Sequence, residues 1–303
     1  MNGGRWTTAV ALAVLTLAPV PGSAQHAHPP GEAGRAVHAR SPEARAFVSA
    51  ATEATRRFAD RSQAIRAGYR KLGPDFPGMG EHWVHPGRIV RGVLDAVAPP
   101  VLSYVEIDGE PVLVGLAFTL PLGADEAPPA EPLGVEVWHD HSGAVDEETL
   151  LLNHPSSMHD DPGGPRLSMV HVWTDLENPD GVLAQNNWRL PWVRVGLDPP
   201  EEPAMEAARG VSLAYGGRDF YRELIGRAAE LTPGEEEAVE AALETWSGRA
   251  EALADARRAD GEAGTDGFAS AWRGFWDAVR AGVGSEAWVR LAPLAGAPRP
   301  APG

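Results

Sequence analysis

The residues best suited to chemistry in this chain are histidines. Seven of the ten fall between His82 and His171, and the region after residue 200 has none. The most informative piece is Trp138-His139-Asp140-His141. On a strand, residues two apart face the same side, so both imidazoles can address one point while Asp140 looks away. Two further pieces extend the set. In Leu167-Ser168-Met169-Val170-His171-Val172-Trp173 the histidine sits in a run apolar on both faces. That pattern predicts a buried strand, and a buried imidazole needs partners for its nitrogens. In Gly78-Met79-Gly80-Glu81-His82-Trp83 the flanking glycines predict a tightly turning loop that aims His82 inward. His85, His154 and His159 lie in looser contexts and are weaker candidates.

The chain has no cysteine, which removes thiolate metal sites and disulfides from consideration. A site made of His82, His139, His141 and His171, with a carboxylate such as Asp140 or Glu147, suits a transition-metal ion: zinc, copper, iron, nickel or manganese. Three protein ligands would leave a position open for hydrolytic or oxidative chemistry, with Glu147 as proton acceptor, whereas four would make the ion structural. The metal-free reading is a set of hydrogen-bonded core histidines forming an aromatic-lined pocket for a small molecule. Other catalytic patterns fail on inspection: the sequence holds no Gly-x-Ser-x-Gly elbow, no phosphate-binding Gly-x-x-x-x-Gly-Lys and no His-Glu-x-x-His helix. Lys71 is the only lysine, which speaks against Schiff-base chemistry.

The elements that must position these residues read as an α+β fold. Ser41-Pro42-Glu43 is a helix start, and Phe47, Ala51, Ala54, Phe58, Ile65, Tyr69 and Leu72 continue as the stripe of one long N-terminal helix ending near Gly73-Pro74. A small antiparallel sheet follows in the centre. Its candidate strands are 101–107 and 112–120, joined by a turn at Asp108-Gly109, then 133–138, 167–174 and 192–196, with a short helical stretch over 145–152. Trp188-Arg189-Leu190-Pro191-Trp192 reads as aromatics packed over the sheet edge. From Glu201 the texture becomes Ala-rich and helical, with a capping box at Thr232-Pro233-Gly234-Glu235 and a Gly-rich break over 261–267. The chain thus divides into a helix plus His/Trp-rich β domain over 41–198, a helical region over 201–290 and a disordered Ala/Pro/Gly tail over 291–303.

Residues 1–24 have the order of a cleavable secretion signal: Arg5, the apolar run 9–18, then Pro19, Pro21 and the small residues Gly22 and Ala24. Cleavage before Gln25 leaves a flexible arm over 25–40 and places the protein in the periplasm or outside the cell. The formal net charge of −16 argues against nucleic acid as a partner, and the leader's apolar run is too short to span a bilayer. The sequence specifies no oligomeric state.

Taken together, the string Ala64 to Tyr69 followed by Pro77-Gly78-Met79-Gly80-Glu81-His82-Trp83, then Trp138-His139-Asp140-His141, Met169-Val170-His171-Val172-Trp173, Glu177-Asn178-Pro179-Asp180-Gly181 and Asn187-Trp188-Arg189-Leu190-Pro191 resemble a family of uncharacterised exported bacterial proteins. The resemblance covers roughly residues 50–198 and implies export, but no activity.

Overall fold

A computed structural model of the chain describes residues 38–123, 126–142, 166–200, 215–260 and 265–296. The expected signal, most of the arm, the 145–152 helix, Glu147, His154 and His159 lie outside the described residues.

The first helix, α1 (Pro42–Thr55), begins as its sequence dictates: the Ser41 hydroxyl accepts from the Ala44 amide at 2.9 Å, with Pro42 in the first turn. Such a cap contributes about 1 kcal/mol. The single long helix expected over 41–72 is not what forms. After a 3-10 turn at Arg56–Ala59 the chain adopts extended backbone at Asp60, whose carboxylate accepts from the Ser62 amide and starts α2 (Arg61–Arg66). A short polar side chain that captures its own backbone interrupts a helix that the apolar stripe alone would continue.

A hydrogen-bonded sheet of six strands follows, all its pairs antiparallel, in the order β1-β2-β3-β4-β6-β5. The strands are β1 (Arg70–Phe76), β2 (Gly80–Val84), β3 (Val101–Ile107), β4 (Glu110–Leu122), β5 (His139–Ser142) and β6 (Arg166–Trp173). A short helix, α3 (Pro86–Arg91), links β2 to β3. The β3–β4 hairpin closes at Asp108-Gly109, where both residues have positive φ, as a two-residue hairpin turn requires.

Three strand assignments change. The segment around His82 is not a loop but β2, and β1 lies where the end of the long helix was expected. The strand expected at 133–138 is displaced: Val135–Val137 form a 3-10 turn and pairing begins only at His139. The stretch 192–196 belongs to a helix, α4 (Leu190–Arg194), with Pro191 in its first turn.

One face of the sheet packs Leu102, Tyr104, Leu113, Leu116, Phe118, Val170 and Val172 against Ala51 and Phe58 of the N-terminal helices. Tyr104 ties the two layers by donating to the Phe58 carbonyl at 2.7 Å. Residues opposite one another share a face, so His82, Ser103, Gly115 and Trp173 fall on the other side, as do Val84, Val101, Ala117 and His171. Met169 packs there with Val84, Val101, Ala117 and Leu167, and it lies opposite His139.

The C-terminal part is helical, as its composition predicts: α5 (Arg218–Ala228), α6 (Pro233–Asp260), α7 (Thr265–Gly282) and α8 (Ser285–Leu291). Thr232 and Glu235 form the expected cap, the Glu235 carboxylate accepting from the Thr232 amide and, with its other oxygen, from the Gly284 amide. Two boundaries move. The aromatic core of this region includes Trp188 and Trp192, so the 188–195 stretch joins the helices, while Leu190 packs on Val105, Val114 and Trp173 of the sheet and Trp188 lies against Gly78 in the β1–β2 turn. At the other end Ala292–Ala295 form a 3-10 turn with Leu294 buried, so ordered chain extends beyond 290. Among the described residues no helix is long and apolar enough to cross a membrane.

Candidate functional site

The site lies on the sheet face away from α1 and α2, where three of the four histidines singled out by sequence meet. His171, on β6, is the hub. Its ring centroid lies 5.4 Å from that of His139 with the planes within 18°, and 5.5 Å from that of His82. On its far side the indole of Trp173 stacks at 5.9 Å. His139 reaches His171 from the adjacent strand β5, one diagonal step away in the register. His82 comes from β2, with β3 and β4 in between. In a flat sheet those strands would keep the two backbones about 14 Å apart. Bringing the rings together takes side chains that lean toward one another over small residues. The intervening positions supply them: Ser103 opposite His82, Gly115 opposite Ser103, and Ala117 opposite His171.

Gly115 is required by close approach. A Cβ there would stand 2.9 Å from the Val172 carbonyl oxygen and 3.2 Å from the Trp173 ring. Gly80, with φ +77°, fixes the entry to β2, and a Cβ at that position would come within 2.5 Å of the Tyr104 carbonyl oxygen.

His171 is almost completely buried, whereas His82 and His139 keep part of their surface accessible. The His82 Nε2 is enclosed and makes no hydrogen bond among the described residues; its ring also touches Phe76 at 6.0 Å. Burial pushes the His82 pKa down to about 4, against a smaller opposing pull from the Asp75 carboxylate, so the ring is neutral at physiological pH. A neutral imidazole is the form that binds a metal. His141 is two residues from His139 on β5 and pairs with Leu167, which puts it at the same-face spacing expected; its side chain lies outside the described residues. His85 does not join them: it precedes α3 and packs edge-on against Tyr69 at 5.5 Å.

Several participants were not foreseen from sequence. The hydroxyls of Ser103 and Thr119 are buried with no hydrogen bond among the described residues, Ser103 opposite His82 and Thr119 opposite Met169. Their only signal in the sequence is a hydroxyl residue within an otherwise apolar strand. Beside His82, Asp75 of β1 receives two 2.6 Å hydrogen bonds from Arg194 of α4, whose side chain is 4% exposed. This pair joins the sheet to the helical region, reinforced by Phe76 against Tyr215 at 5.7 Å and by the Asn187 amide donating to the Gly78 carbonyl at 2.8 Å. Burial works against the Arg194 charge, but the Asp75 carboxylate more than offsets it and holds the guanidinium pKa above its ordinary value. Nearby, burial raises the Tyr221 phenol well above its usual range.

Among the described residues no group of three or more His, Asp or Glu side chains is already arranged to hold a metal ion. The described arrangement consists of two imidazole pairs that share His171. No family model, no curated protein and no solved structure matches the chain.

Proposed function

We propose that the protein binds a transition-metal ion through His139, His141 and His171, with His82 closing the remaining position. The observation that carries this reading is the convergence of His82, His139 and His171 from three strands, at centroid separations of 5.4 and 5.5 Å. Two imidazoles sharing one ion at about 2.0–2.1 Å per nitrogen place their ring centroids about 5–5.5 Å apart. His141, two residues from His139 on β5, would add a fourth donor to the three imidazoles of the two described pairs. Export, with cleavage before Gln25, is part of the same proposal.

Elemental analysis of the purified mature protein after metal-replete preparation tests it. One equivalent of a transition metal is expected. It should be lost in His139→Ala/His141→Ala and in His171→Ala, and kept in His85→Ala. A folded wild-type protein that retains no metal would leave the hydrogen-bonded pocket as the reading.

A further inference from the structure

We infer that Arg194 is a positioning residue for the site: one turn of α4 sets how closely His82 and His171 approach, and through it occupancy of the site is coupled to the seating of the helical region on the sheet. Only the effect on metal rests on the binding reading above. Leu190 and Arg194 stand four residues apart, on one face of α4. Leu190 packs with Val105, Val114 and Trp173, and the Trp173 indole stacks on His171 at 5.9 Å. Arg194 holds Asp75 through two 2.6 Å bonds, and the next residue, Phe76, touches His82 at 6.0 Å. The two ends of α4 therefore grip the two aromatic walls of the His82–His171 pair.

The sheet by itself does not fix His82 on this side. β1 is its last strand, and the register of β1 on β2 shifts between Leu72, opposite His82, and Asp75, opposite Glu81. Such an irregularity bends a strand and re-aims its side chains, so the support for His82 has to come from outside the ladder. The helical part of the chain supplies it at three points: Arg194 on Asp75, Tyr215 on Phe76 and the Asn187 amide on the Gly78 carbonyl. Stability is not a sufficient reason for burying Arg194, because a buried ion pair is commonly no more stabilising than an apolar pair of the same volume. What a guanidinium bonded through two nitrogens adds is a fixed orientation of its partner. Coupling between sites is reciprocal, so an ion that draws His82 and His171 together also tightens α4 on the sheet.

The double variant Asp75→Asn/Arg194→Met separates position from stability, since it removes both charges and leaves neither buried alone. The first readout needs no metal. In metal-free protein carrying protonated histidine in a deuterated background, the 5.5 Å ring pair should give an NMR cross-relaxation peak between His82 and His171 in the wild type, and the folded double variant should lose most of it. Arg194→Lys, which keeps the charge but not the two-nitrogen fork, gives the same readout should the double variant not fold. An undiminished peak in the folded variant overturns the positioning. The second readout uses Zn(II) as the probe. The double variant should bind it about tenfold more weakly, the lower end of what an outer partner of a metal ligand contributes. In the wild type Zn(II) should slow amide hydrogen exchange in the peptide containing α4 as well as in β2 and β6. Equal Zn(II) affinity in both proteins, or protection confined to the strands, overturns the coupling. Failure of the wild type to bind Zn(II) counts against the metal reading alone, and the ring contact then decides the positioning.

Discussion

His82 should make the metal-free protein specifically sensitive to acid. In the unfolded chain its imidazole takes up a proton as the pH falls through the ordinary value of 6.5, whereas in the folded protein it resists until about 4. Between those values the unfolded state binds the extra proton, so stability falls with falling pH and the loss stops below about 4. The contribution is fully present above pH 6.5. A shift of that size corresponds to at most about 3 kcal/mol, and the partial accessibility of the ring makes this an upper bound. The perturbation is His82→Asn, which keeps a polar group at the position and cannot titrate. Urea denaturation of chelator-treated wild type and variant, followed by tryptophan fluorescence in steps from pH 7 to pH 4, measures the difference directly, because every other titrating group is common to both. The wild type should lose up to about 3 kcal/mol more than the variant across that window. Parallel stability curves would show that the His82 environment does not resist protonation, and the argument from burial would fail.

Replacing Asp75 with Asn should cost about 3–5 kcal/mol in urea denaturation, because Arg194 is left buried without its counter-charge, and the double variant Asp75→Asn/Arg194→Met should recover most of that; equal losses in the single and double variants would deny the coupling. Gly80→Ala should lower the melting temperature by more than the roughly 1–2 kcal/mol of a left-handed residue alone would do, since the new methyl meets the Tyr104 carbonyl, and it should weaken metal binding by displacing His82 two residues on. A fully stable Gly80→Ala protein with unchanged metal affinity would contradict that placement of β2.

Much of the local structure was legible in the amino-acid sequence because its determinants act within a few residues. The Ser41 cap, the Asp108-Gly109 turn, the Thr232–Glu235 box and, from Arg218 on, the helices of the C-terminal region all appear where they were expected. So does the burial of His171 in a strand apolar on both faces. The same local reading failed where a neighbour overrides propensity. Asp60 cut the long helix by bonding its own backbone, and pairing with β3 drew the Gly-flanked His82 segment into the sheet. The sequence also singled out His82, His139 and His171 without saying why their rings should come together. Their convergence depends on strand order and on the smallness of Ser103, Gly115 and Ala117, three positions whose common purpose is invisible until β2, β3, β4 and β6 lie side by side. The Asp75–Arg194 pair, separated by 119 residues, and the transfer of Trp188 and Trp192 into the helical core are of the same kind. Caps, turns and periodicity are short-range interactions written in adjacent residues, whereas a site formed between strands and helices distant in sequence exists only once the tertiary packing has paid the entropy of bringing them together.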